Sequence, residues 1–525
     1  MKTKTNRTQN HPMSRSSLTT RGRRAISFTS VSTLLVLAVG SAIAAPAFFG
    51  ELARVSGSSP FPEDCGAHSL DPTGGDIEAA TPQIDSEVEP HIAVDPTDPN
   101  TMISAWIQDR HPTGGGGRSN VVGVTKDGGR TWKQVVVPGI SGCTGGSYAR
   151  ATDPWVDFGP DGVAYLASLS FEQTEPSTIL VSTSADGGET WAAPAEVTPP
   201  GQTNIYNDKQ ALTAHPTIPG RAYIVWAKRV PYGVEAANTA MFSSTSDQGE
   251  TWSTPMPLFA AGAFILPVGS EILVLPDGTL LHVFSLTNFS DGLPEGPPRV
   301  PFRIMVQRST DDGASWSLPH DLGGGTRTFP RDPESREVIA ALGFLPSSDV
   351  APDGTVYISW ADLDPSPRRV LVVSSRDGGR TWTDPTAAAT SPADLMLPAL
   401  AVGHRGTVAV TYYSFENDVL GDEELTTDVW LAHSHDGGET WERIHLAGPF
   451  DMRQAPLNGG HTVGDYTGLD AIPGPGSERF AAALSLAPPV ALEGSSDIFV
   501  VTTAVPGQGR AGDKGPEQSM HRASE

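Results

Sequence analysis

The chain has 525 residues, 60 of them acidic and 35 basic, for a net charge of −25. That balance argues against nucleic acid as a partner, because binding a phosphate backbone calls for clustered cations. High glycine (56) and proline (46) beside 38% hydrophobic residues suit a turn-dense all-β protein rather than a disordered one.

The first 50 residues hold seven basic residues and no acidic one, and they include an apolar run from Ile26 to Ala45 with Ala42-Ile43-Ala44 as a candidate cleavage site. This is the layout of an export signal. A retained N-terminal anchor is the alternative, since the run is near the length that spans a bilayer. Arg23-Arg24 lies in too loose a context for a twin-arginine signal, and the lack of a cysteine near the cleavage point argues against a lipoprotein. Residues 1–45 are therefore assigned to the signal or anchor and 46–84 to an N-terminal segment. A repeat body takes 85–505, and 506–525 form a Gly-rich, charged tail expected to be disordered. Without the seven leader cations, 28 basic residues face 60 acidic ones, a net charge of −32. The expectation is a secreted, soluble monomer that meets a membrane only if the leader is retained. Cys65 and Cys143 either pair, pinning the N-terminal segment to the start of the body, or remain two thiols.

Inside the body, Ser184-Ala185-Asp186-Gly187-Gly188-Glu189-Thr190-Trp191 is one of six copies of Ser/Thr-x-Asp-x-Gly-x-Thr/Ser-Trp. The aspartates are Asp127, Asp186, Asp247, Asp311, Asp377 and Asp436, separated by 59, 61, 64, 66 and 59 residues. A repeat in register means one supersecondary unit copied many times. Asp-Gly and Gly-Gly supply the positive φ of a tight turn, and the carboxylate can accept from the turn's own N–H groups. These aspartates are thus expected to be structural.

Strand-like runs precede the copies: Asn120 to Val124, Ile179 to Val181, Arg303 to Val306, Val370 to Val373, and Val429 to Ala432. Two further strands per unit lie upstream, as in Trp155 to Phe158 and Val163 to Ala167, or Asp349 to Ala351 and Val356 to Trp360. A recurring position carries Trp106, Ser168, Trp226, Phe284, Trp360 and Tyr412, read first as packing between sheets and second as a sugar platform. A seventh unit follows at Asp465 to Asp470, Arg479 to Leu484 and Asp497 to Thr502. Its missing fourth strand is expected from Ile77 to Ile84, closing a ring without a free edge. The fold expected is an all-β propeller of seven blades with six Asp-box turns; six blades and an appendage are the second choice.

These turns are Asp boxes, and the chain resembles the sialidase (neuraminidase) superfamily along the whole repeat body. The resemblance implies a propeller glycosidase. It also implies three arginines for a sugar carboxylate, a Tyr activated by a Glu as nucleophile, and an Asp as acid/base. The family's arginine-bearing segment has one similar string here, Phe302-Arg303-Ile304-Met305, placed directly before an Asp box. The first inner strand reads Glu89-Pro90-His91-Ile92-Ala93-Val94 and carries no arginine.

Propeller topology gathers the starts of inner strands and the second-to-third loops at one face, opposite the Asp boxes. Glu89, Asp153, Asp208, Asp465 and Tyr466 are the candidate catalytic residues there, since glycoside hydrolysis needs two groups flanking the bond. Tyr466 is a nucleophile only if a carboxylate takes its proton. Arg110, Arg150 and Arg229 are candidates for binding an acidic sugar, because a guanidinium grips a carboxylate with two bonds. No metal-binding motif or nucleotide loop is present, so no metal and no cofactor is expected. Two readings follow: a secreted sialidase-like glycoside hydrolase for terminal, acidic or neutral, sugars of a glycoconjugate, or a non-catalytic propeller binding a glycan or protein at the same face.

Overall fold

The computed structural model describes residues 50–62, 65, 81–172, 177–199, 205–230, 238–262, 264–288, 300–326, 329–364, 366–476 and 478–506. The leader assigned to 1–45 and all but the first residue of the tail assigned to 506–525 lie outside them. The described residues are all-β, with two short 3-10 turns and no α-helix. None of them forms a helix long and apolar enough to cross a membrane.

Every strand belongs to a four-stranded antiparallel meander. The first meander runs Glu87–Val94, Met102–Arg110, Gly117–Thr125 and Lys133–Val136. The second runs Arg150–Phe158, Ala164–Phe171, Ser177–Ser184 and Ala195–Glu196, and the single pair Gly117 with Ala151 links it to the first. Four more begin at Tyr206–Ala214, Ile265–Val274, Ser347–Val350 and Leu395–Val402. The last holds Gly468–Ile472, Arg479–Leu486 and Asp497–Ala504, with Gly50–Arg54 as its outer strand. First strands pack against one another in chain order, and Gly468–Ile472 packs against Glu87–Val94.

The closing strand is a correction to the sequence reading. It is Gly50–Arg54, paired along Asp497–Ala504 from Gly50 opposite Thr503 to Arg54 opposite Phe499, and not a stretch of Ile77 to Ile84. Five residues just beyond an apolar leader do not stand out as a strand, whereas Asp497–Ala504 offers an open edge that any extended segment can satisfy. The start of the last meander also differs: Asp465 and Tyr466 precede its first strand rather than forming part of it.

Side chains between successive meanders make the core. Ile103 and Val124 pack with Val156 and Leu166; Tyr165 and Val181 pack with Leu212 and Ile224. Trp106 and Val121 meet Ala481 and Val500 of the last meander and Val55 just after its outer strand. Trp106, Trp226, Phe284, Trp360 and Tyr412 are at most 1% exposed, so the recurring aromatic position packs sheets together. Truncating one to alanine would cost about 3–5 kcal/mol.

The six repeated turns share one network. In the second copy, Asp186 Oδ1 accepts from Ser184 Oγ (2.8 Å) and the Thr190 N–H (2.9 Å), while Oδ2 accepts from Thr190 Oγ1 (2.6 Å). The equivalent bonds hold Asp127, Asp247, Asp311, Asp377 and Asp436. Trp191 Nε1 donates to the Gly188 carbonyl (3.0 Å), which turns the indole onto the turn. Each motif joins a third to a fourth strand. It therefore sits at the end of the sheet away from the second-to-third connections.

Candidate active site

First strands carry a local irregularity at the opposite end from the six repeated turns. Pairing with the second strand slips between Val88 and His91, Thr152 and Trp155, Asp208 and Ala211, Val268 and Glu271, and Met396 and Ala399. Each slip is a β-bulge, which bends a strand and re-aims a side chain. Glu89, Asp153 and Lys209 occupy this position in three consecutive meanders with φ of 56°, 47° and 48°. A non-glycine residue there costs of order 1 kcal/mol, and such strain gathers at functional sites. Three charged side chains are thereby turned toward one another.

They meet in a cavity of about 630 Å³. Lys209 Nζ lies 2.7 Å from Asp153 Oδ1, 2.8 Å from Asp465 Oδ2 and 3.5 Å from Glu89 Oε1. Asp465 arrives from the loop before the last meander. Gly464 makes that approach possible: a Cβ there would stand 2.6 Å from the Glu89 backbone nitrogen, and its φ is 120°. Asp208, Arg110 and Arg229 line the same cavity, together with the glycine loop Gly114 to Gly116. Arg229 Nη1 pairs with Asp208 Oδ2 at 2.8 Å, and Arg110 Nη1 donates to the Gly116 carbonyl at 2.7 Å. The facing wall is apolar, built from Phe264, Leu266, Val268, Phe329, Leu342 and Phe344.

The environment drives the carboxyl groups apart. Burial pushes Glu89 well above the usual range against the pull of the Lys209 ammonium, and the Asp153 and Asp465 carboxylates add to the rise. Burial acts on Asp153 in the same sense, but the Lys209 charge together with hydrogen bonds from Glu89 and Lys209 holds Asp153 below the usual range. Asp208 is raised by burial, with Arg229 opposing. Lys209 stays charged, since Asp153, Asp465, Glu89 and Asp208 together more than offset the effect of burial.

Two of the eight residues expected at the mouth stand outside the cavity lining. Arg150 Nη1 donates to the carbonyls of Thr113 (2.9 Å) and Gly115 (3.1 Å), bracing the loop that lines the cavity. Tyr466 lies beneath the carboxylates against a smaller neighbouring hollow, its hydroxyl donating to the Pro154 carbonyl at 2.9 Å and its ring 5.5 Å from Lys209 Nζ. Burial and the acidic groups around it push its phenol well above the ordinary value. Lys209, at the centre of the site, is placed at this face by the repeat topology but is not among the candidate catalytic or sugar-binding residues. The signal was available: it occupies the same place in its repeat as Glu89 and Asp153, but a search for acid/base pairs passes over a lysine.

No family model matches the chain. No curated protein matches it either. Among solved structures it is similar to the Penicillium chrysogenum alpha-L-arabinanase complexed with arabinobiose, at 15% identity over 87% of this chain and 98% of that one, with a TM-score of 0.44. It is also similar to the Hadza microbial sialidase Hz136, at 15% identity over 78% and 75% of the two chains and a TM-score of 0.43. A Trypanosoma rangeli sialidase shares 13% identity over 70% of this chain and 55% of its own, with a TM-score of 0.41. The solved structures it resembles thus include two sialidases, the family that the turn motifs resemble.

Proposed function

We propose that this chain is a seven-bladed β-propeller, closed by Gly50–Arg54, that hydrolyses glycosidic bonds of terminal sugars in the cavity lined by Glu89, Asp153 and Lys209. Seven apolar clusters, each bridging two successive meanders and the last returning to the first, support the blade count. The observation that carries the hydrolase reading is the bulge set. It brings Glu89 and Asp153 to one lysine, with their proton affinities driven in opposite directions. Paired carboxyl groups held apart in this way divide the acid and base roles between them.

Glu89, kept protonated, gives its proton to the leaving glycosidic oxygen as the bond to the anomeric carbon breaks. Asp153, kept ionised by Lys209, takes the proton of the attacking water or attacks the anomeric carbon itself. Asp465 completes the charge around Lys209, and Asp208 with Arg229 and Arg110 offers hydrogen bonds to sugar hydroxyls or an acidic substituent. The apolar wall suits the C–H face of a sugar ring or its aglycone. Tyr466 and Arg150 are positioning residues in this scheme. Export by the N-terminal leader is part of the same reading, and the Cys65–Cys143 bond accords with it.

A second reading, a propeller that binds a glycan without cleaving it, draws on one observation. Lys209 is already engaged by three acidic side chains, and the phenol beside them is held protonated. Incubation with a panel of neutral and acidic aryl glycosides, including a sialoside, separates the two. Release of the aryl alcohol from at least one substrate supports hydrolysis. Saturable binding of the panel without release supports the binding module.

A further inference from the structure

Away from the cavity, on the side of the first meander that faces the N-terminal segment, three carboxylates share one small nest. Asp85, Glu87 and Asp109 each place an oxygen within 4.8 Å of the other two. Glu87 and Asp109 are fully buried. Crowded acids alone do not make a binding site, and several of these oxygens have protein donors. The Ser59 N–H donates to Asp85 Oδ1 (2.6 Å) and Ser59 Oγ to Asp109 Oδ2 (2.5 Å), while Gln108 Nε2 serves Glu87 Oε1 (2.6 Å). Glu87 Oε2 is different: it is buried and has no hydrogen-bond partner. An uncompensated carboxylate oxygen away from water costs several kcal/mol.

We propose that this nest is a calcium site formed by Asp85, Glu87 and Asp109. Hard oxygen donors from carboxylates suit a hard cation, and calcium–oxygen distances of about 2.3–2.6 Å let oxygens on one shell stand up to about 5 Å apart. Magnesium, at about 2.1 Å and with strict octahedral demands, would need the three groups drawn closer. Charge agrees. Among the described residues the cation paired within the nest is Arg118, 3.5 Å from Asp109 Oδ2, so acidic groups outnumber basic ones there. Linear motifs miss the site because its ligands come from a loop, a strand start and the far end of the next strand. Its consequence is mechanical. Ser59 belongs to the segment that carries the closing strand, and Arg110 follows Asp109 directly, so the ion would tie the N-terminal segment to the strand end that supports the cavity.

The test uses the full chain after chelation. Terbium should show emission sensitised through tryptophan, with Trp106 close at hand because its Nε1 donates to the same Gln108 that serves Glu87. Calcium should displace it with an apparent Kd between about 10 µM and 1 mM, and should raise the melting temperature where equal magnesium does not. Asp85→Asn, at a partly exposed position, and Glu87→Gln should each weaken calcium at least about tenfold; if Glu87→Gln misfolds, Asp85→Asn decides. Three outcomes overturn the proposal: no calcium-displaceable emission, emission unchanged in Asp85→Asn, or a melting temperature indifferent to calcium and responsive only to pH, which would mean the nest holds a proton. Equal stabilisation by magnesium overturns the assignment to calcium.

Discussion

Carboxylates in this protein do opposite things to its pH stability, depending on what surrounds them. Asp186 is held down to about 2: the little burial it has works upward, but its bonds to Thr190 and Ser184 outweigh it. A depressed acid stabilises the fold above its unfolded value near 3.9, and that contribution disappears as pH falls toward 2. Asp186→Ala should therefore lower the melting temperature at pH 7, by an amount matching about 1–2 kcal/mol, and the gap to the parent should shrink below pH 3. Binding in the cavity should not change, since the turn lies at the far end of its sheet. Glu271 has the reverse sign. Burial raises it to about 8 against the bond from Ser348, and nearby Asp349 adds to the rise. A raised acid supports the fold fully below its unfolded value, and the contribution is lost as pH climbs through 8. Melting curves of Glu271→Gln should thus gain on the parent between pH 5 and 8. A difference that stays constant across that range would show that Glu271 does not carry this pH dependence.

At the scale of elements, the bulges and the closing strand separate what the sequence could disclose from what it could not. Inner-strand starts are visible in the repeats, so Glu89, Asp153 and Asp208 could be placed at one end of the sheets by topology alone. That a slip in register would turn Lys209, rather than Asp208, toward Glu89 and Asp153 is a matter of one residue in a two-residue period, and composition carries no trace of it. Gly50–Arg54 was illegible for another reason: an outer strand is chosen by the edge it covers, here Asp497–Ala504, more than by its own residues. The Cys65–Cys143 bond spans 78 residues and fastens the chain just beyond that strand. Replacing both cysteines by serine should reduce stability by about 2–4 kcal/mol, read as a lower denaturant midpoint. An unchanged midpoint would mean that strand pairing alone holds the segment.

For the whole molecule, six copies of one turn make the repeat plain, and a repeat whose faces are apolar on both sides has to bury them against its neighbours. Trp106 illustrates the closure: it belongs to the first meander yet packs with Val500 and Ala481 of the last. The cavity follows from that arrangement, because first strands brought side by side set Glu89, Asp153 and Lys209 together although 120 residues separate the first from the third. The chemistry was less legible than the repeat. In the proposed scheme, acid and base roles depend on burial and on Lys209, not on the presence of carboxylates alone. The most direct test measures turnover of a responsive aryl glycoside by the parent, Glu89→Gln and Asp153→Asn, alongside binding of an inert analogue. The account predicts that each substitution lowers kcat by about two to four orders of magnitude while the analogue binds within about tenfold of the parent. Turnover within about threefold of the parent in both variants would contradict it.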